Sequence, residues 1–249
     1  MSEALKGSKE EQILFESKEE GIERGIKIIS KSYIGNGNMS TVYRIQGLVQ
    51  GDNGKERLHT FVLKDYNTRF PYKTEQDRIK VAQGHAGSAV AVHALLRKHK
   101  LPTWTTCRPD VTGTRLIMSD GELDEHDHIV THNNPSVSRS RIMHTISAIT
   151  NLEATMTQAL EAARAAAKAG ITVRADAWME RFRVTDATTE LSLLIGDLEM
   201  VRGTEPYENM VANNIHELGL TLRATVTMAM KPEEVSDALA RIDAIFPTS

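Results

Sequence analysis

The chain has 249 residues, a formal charge of −3, and 40% hydrophobic and 25% charged residues. That balance fits a folded chain with one large core or two smaller ones, and it exerts no overall pull toward nucleic acid or anionic lipid. One cysteine, Cys107, excludes an internal disulfide framework and a cysteine-rich zinc site, leaving a small buried side chain as its expected role.

The first residues, MSEALKGSKEEQILF, are charged and lack the apolar core of a signal peptide, and no run reaches the length of a membrane span. The expected setting is therefore a reducing compartment, or export without a cleaved signal. Residues 1–30 are rich in Lys and Glu, with Ile13, Leu14, Ile22, Ile26 and Ile29 among them. They read as a helical N-terminal extension interrupted near Gly21 and Gly25. From Tyr33 the texture turns β-like, with strands predicted over Val42 to Val49 and His59 to Tyr66. Between them QGDNGKER has the Asp-Asn-Gly signature of a tight hairpin.

Residues 74–99 read as a helix broken around Gly84 to Gly87, packing through Val90, Val92, Leu95 and Leu96, and ended by Pro102. Gly113 to Asp120 reads as a further strand. The polar segment after it holds His126, Asp127, His128 and His132, but their spacing matches no closed metal set, so an exposed acidic loop is expected. Thr150 and Glu153 have capping-box spacing, and Leu152, Met156, Leu160, Ala163 and Ala167 follow at helical intervals. Lys168 and Gly170 suit that helix's C-terminus. Two extended pieces, RFRV and ELSLLIGDL, precede helices over about residues 208–228 and 232–246. The division is thus an N-terminal extension (1–30), a β-rich part (31–118) and a mainly helical part (119–249), an α+β chain.

Several pieces carry chemistry. YIGNGNMSTVYRI places Gly35, Gly37 and Ser40 before Val42, small residues that let a backbone approach phosphate oxygens closely. Lys64 is a polar member of the apolar strand FVLKDY. VRADAWMERFRV contains Asp176, and LLIGDLEMV contains Asp197 after an apolar strand. RGTEPY and NIHELGLTL follow.

In this order, over roughly residues 33–222, these pieces resemble the protein-kinase superfamily: glycine-rich loop, strand lysine, catalytic loop, metal-binding motif, end of the activation segment and the buried helix after it. The resemblance implies a two-lobed protein kinase-like fold with a small β-rich N-lobe and a reduced helical C-lobe. It implies that Gly35, Gly37, Ser40 and Val42 cover ATP, Lys64 contacts its phosphates and Met118 lines the adenine edge. Asp176 then positions the acceptor hydroxyl and Asp197 binds Mg²⁺.

This chain also departs from the family pattern. Arg174 stands at the catalytic-loop histidine, Arg181 at the metal-binding asparagine, Glu199 at the glycine after the metal aspartate, and Asn214 at the buried-helix aspartate. Arginine cannot coordinate Mg²⁺. Glu180 is a further metal candidate, whereas Glu199 reads as a surface acid ahead of a second ligand. Glu75 lies early for the helix acid that pairs with the strand lysine, and HAGSAVAVHALL offers none. The activation segment between Glu199 and Glu205 is short. The expected activity is ATP-dependent phosphate transfer to a protein hydroxyl. The alternatives are a pseudokinase that binds protein partners and a small-molecule kinase. The reduced lobe suggests an effector-type virulence protein, cytoplasmic or secreted into a host cell, acting on a protein substrate or host partner. No basic run with interleaved aromatics suggests nucleic acid.

Overall fold

A computed structural model of the chain describes residues 12–16, 23–36, 40–50, 54–66, 74–119, 127–131, 149–184, 188–198 and 206–246. These residues form an α+β fold of nine strands and four α-helices. The chain divides into two compact units, Met1–Ile34, Asn38–Gly87 and Thr105–Leu123 in one, and Gly35–Gly37, Ser88–Trp104 and Asp124–Ser249 in the other.

In the first unit β1 (Gln12–Glu16), β2 (Glu23–Asn36), β3 (Thr41–Gln50), β4 (Glu56–Asp65), β5 (Thr106–Pro109) and β6 (Arg115–Ser119) form one sheet in the order β1-β2-β3-β4-β6-β5. The predicted hairpin is present: β3 and β4 pair from Thr41↔Asp65 to Gln50↔Glu56, and Gly54 supplies a left-handed turn residue at φ +73°. Ile13, Ile26, Ile45, Leu63 and Ile117, one from each of β1, β2, β3, β4 and β6, form a buried cluster. The two edges of the sheet meet, since the N–H of Val111, just beyond β5, donates to Leu14 O of β1 at 2.9 Å. The sheet therefore curls around its core. A Cβ on Gly47 of β3 would collide with Ile26 Cγ2 and lie 3.1 Å from Lys27 O, so glycine is what lets β2 pack so closely there.

The helical reading of residues 1–30 is overturned wherever they are described, because β1 and the start of β2 are paired strands with Ile13 opposite Ile26. Cross-strand burial of these isoleucines outweighs the helix propensity of the surrounding Lys and Glu. A second correction concerns α1 (Glu75–Lys98), which is unbroken. Its buried line is Ala82, Ala86, Ala89 and Leu96, while Gly84 and Gly87 lie on its exposed side. Thr74 caps its start, accepting the Asp77 N–H at 3.1 Å and donating to Asp77 Oδ2 at 2.7 Å.

The second unit contains β7 (Asp127–Thr131), β8 (Trp178–Val184) and β9 (Thr189–Ile195) in one antiparallel sheet. With it are α2 (Leu152–Lys168), α3 (Tyr207–Ala229), α4 (Pro232–Ile245) and a 3₁₀ turn at Ala175–Ala177. Within the segment expected to be an acidic loop, Asp127–Thr131 is instead strand β7, whose backbone pairs with β8; His126 and His132 lie outside the described residues. The predicted helices of this part form, but the Thr150–Glu153 capping box does not. Thr150 Oγ1 donates to Thr189 O at 3.1 Å, and Asn151 bonds both backbone groups of Leu191 at 2.8 and 2.9 Å. Glu153 instead pairs with Arg241 at 3.1 Å. The start of α2 is thus tied to β9 rather than closed on itself. Buried Ala159, Ala162, Ala163, Ala166 and Ala167 give α2 a small-residue face, and α2 packs on α3. Among the described residues no helix is long and apolar enough to cross a membrane.

Candidate functional site

Strand register gathers the candidates of the first unit. Lys64 on β4 stands opposite Val42 on β3 and Leu116 on β6; Val62 stands opposite Met118, and Met118 opposite Cys107 on β5. Residues two apart on a strand share a face, so Val42, Lys64, Met118 and Cys107 lie on one side of the sheet. Ile45, Leu63 and Ile117 occupy the other side. Gly35 is buried at the end of β2 and Ser40 is buried just before β3, whereas Gly37 lies outside the described residues.

Lys64 is only 7% exposed. Its Nζ sits 5.4 Å from the centre of the Tyr66 ring, and Tyr66 stacks on His85 of α1 at 5.8 Å and 14°. A cation over an aromatic face recovers part of the interaction lost on leaving water. Neither ring is singled out by sequence, although Tyr66 two residues after Lys64 is the available signal. Glu75 stays at the start of α1, where its hydrogen bond to Arg78 holds its carboxyl below the usual range. Burial pushes the Cys107 thiol up to about 12, with the Lys64 charge opposing the rise.

In the second unit Asp176 lies in the 3₁₀ turn, its side chain 39% exposed and its Oδ1 3.3 Å from Arg174 Nε. The strand of chain leading to it is held by α3. Fully buried Asn214 accepts the Val173 N–H at 2.8 Å and donates to Ala163 O and Ile171 O at 3.2 and 3.0 Å. Glu217 Oε2 accepts the Ala175 N–H at 2.7 Å, and Thr221 Oγ1 donates to Ala175 O at 3.0 Å. Of these, sequence reading notices only Asn214.

Ala177 joins the two candidate acids. Its carbonyl accepts the N–H of Gly196 at 3.0 Å and that of Asp197 at 3.2 Å, so the Asp176 turn and the Asp197 loop meet at one oxygen. Trp104 Nε1 donates to Gly196 O at 3.0 Å. A Cβ on Gly196 would collide with Met179 Sδ and meet Leu194 Cδ1 at 3.0 Å. Asp197 is half-buried and Leu198, after it, is buried.

The remaining candidates have other surroundings. Glu180 is fully buried on β8 and receives the Thr225 hydroxyl on Oε1 at 2.5 Å. Arg181 Nε donates to Ser192 Oγ on β9 at 3.0 Å. Glu199 lies outside the described residues. Among the described residues no group of three or more His, Cys, Asp or Glu is arranged to hold a metal ion. No protein-family model matches the chain, and no curated protein matches it.

Proposed function

We propose that the chain is an ATP-dependent phosphotransferase acting on a protein hydroxyl, on a two-lobed protein kinase-like scaffold with a reduced helical lobe. The observation that carries the reading is the Ala177 carbonyl shared by Gly196 and Asp197. It fixes the backbone of the Asp197 loop one residue from Asp176, and phosphoryl transfer needs one carboxylate for the acceptor and another for the metal. Further support comes from the first unit. Lys64 on β4 stands opposite Val42 on β3, and Met118 shares its face.

Asp197 is the carboxylate assigned to magnesium in this reading. That ion takes one or two carboxylates, keeps several waters and completes its shell with substrate phosphates, so a cage of three protein acids is not required. Asp197 would hold it, and bound there it would neutralise charge on the phosphates. Lys64, buried beside Val42 and Met118, supplies a fixed positive charge for the phosphates. Asp176, partly exposed, accepts or orients the acceptor hydroxyl's proton, with Arg174 competing for the same oxygen. Glu180 donates nothing to this scheme, since it faces Thr225 of α3.

The Arg174–Asp176 pair and the Arg181–Ser192 bond favour a second reading, a pseudokinase that binds a protein partner. Mg²⁺-dependent transfer from labelled ATP separates the two. Asp176→Ala should abolish transfer and keep nucleotide binding, and Asp197→Ala should abolish both transfer and the magnesium dependence of binding. Nucleotide binding by the wild type without transfer to any protein supports the second reading. No nucleotide binding, with or without metal, overturns the phosphotransferase.

A further inference from the structure

We infer that Trp104 is a positioning residue for Asp197, a role that rests on the phosphotransferase reading. Trp104 is completely buried, and its indole N–H donates to Gly196 O at 3.0 Å. That carbonyl and the Asp197 N–H are the two ends of one peptide unit, and the Asp197 N–H is bonded to Ala177 O at 3.2 Å. Both ends of the Gly196–Asp197 peptide are therefore fixed, by two segments distant in sequence. Glycine makes a change of ψ at residue 196 inexpensive, and such a change, uncompensated at Asp197, would redirect the Asp197 Cα–Cβ bond. The Trp104 bond opposes it at the carbonyl end, as the Ala177 O bond does at the N–H end.

The residues before Trp104 hold the same stretch. Thr103 Oγ1 donates to Ile195 O at 2.9 Å, and the Ile195 N–H donates to Pro102 O at 2.8 Å. On the other side, His93 Nε2 of α1 lies 2.7 Å from Trp104 O. The three residues Pro102 to Trp104 thus run between the C-terminal half of α1 and the loop of Asp197. A shift of His93 on α1 reaches the Asp197 peptide through one residue.

Trp104→Phe keeps most of the ring and removes the donor. Nucleotide affinity measured without Mg²⁺ should be unchanged, whereas the Mg²⁺ concentration that half-maximally strengthens ATP binding should rise about five- to tenfold. A role confined to packing would not separate these two quantities. A second measurement uses the wild type and does not depend on the variant folding. In ¹⁵N–¹H spectra the Trp104 indole signal should move when Mg²⁺ and a non-hydrolysable ATP analogue are added together. Unaltered magnesium dependence in Trp104→Phe, or an indole signal unmoved while the analogue binds, overturns the inference and leaves the phosphotransferase standing. A wild type with no magnesium-dependent nucleotide binding removes both.

Discussion

Asn214 is a buried amide whose two ends face opposite partners: an N–H on its oxygen and two carbonyls on its nitrogen. That explains why an amide suits this position. In Asn214→Asp the carboxylate would lose both donors and face Ala163 O and Ile171 O. A loss of about 3 kcal/mol is expected at pH 7 from desolvated charge against carbonyl oxygens. Burial raises the folded-state pKa of the introduced carboxyl above its unfolded value, so the penalty is smallest below the unfolded pKa and grows as pH rises. Urea unfolding at pH 4 and pH 8 measures this; a gap from wild type that narrows at pH 8 would contradict it. Cys107 gives a second titration at this scale. Its thiol, raised to about 12 by burial, favours folding below the unfolded value near 9.0, and that contribution is lost as pH climbs from there. The native protein should resist Ellman's reagent at pH 8 and react fully in denaturant. Rapid native reaction would place the thiol at the surface.

Elements show which parts of the chain speak for themselves. The β3–β4 hairpin is legible because Asn-Gly turn chemistry and alternating apolar residues agree locally. The long helices α2, α3 and α4 are legible for the same reason, through apolar spacing and their flanking Gly and Pro. β1 and β2 are not, because Lys and Glu are frequent across residues 1–30 and only a partner strand reveals that Ile13 and Ile26 face one core. The alternation of Ile26 and Ile28 is the signal that was present. α1 misleads in another way: Gly84 and Gly87 look like a break, yet a Cβ at either position meets nothing within 4 Å. Helix continuity there is decided by the buried alanines on the opposite side. Each of Gly84→Ala and Gly87→Ala should therefore raise stability by roughly 0.5–1 kcal/mol. Thermal unfolding checks it, and a fall in melting temperature would mean that one of these glycines meets a neighbour after all.

At the scale of the whole molecule, the candidate site depends on bonds between segments far apart in sequence. Asp176 and Asp197 stand out in the sequence only as candidate acids, whereas their joining at Ala177 O, and the part of Trp104, depend on backbone groups that any residue type carries. The curled sheet has the same character, since the bond from Val111 to Leu14 and the burial of Ile13 join its two edges. Removing residues 1–16 tests what that closure does. The truncation uncovers Ile26, takes away Ile13, and leaves the Val111 N–H without Leu14 O. Burial of one isoleucine alone is worth about 2–3 kcal/mol. Asp110 keeps the β5–β6 turn in place meanwhile, accepting the backbone N–H groups of Thr114 and Arg115, each at 3.2 Å, and the Arg115 Nε at 2.8 Å. Hydrogen exchange should consequently quicken along β2 and β3 in the truncated chain, while the β5–β6 turn and the Asn214 region of α3 keep their protection. Unchanged exchange along β2 would show that β1 contributes no stability to the sheet. Exchange accelerated equally in α3 would show that the two units unfold as one, and the core gathered around Ile13 would then have to be counted among the supports of the Asp176 turn.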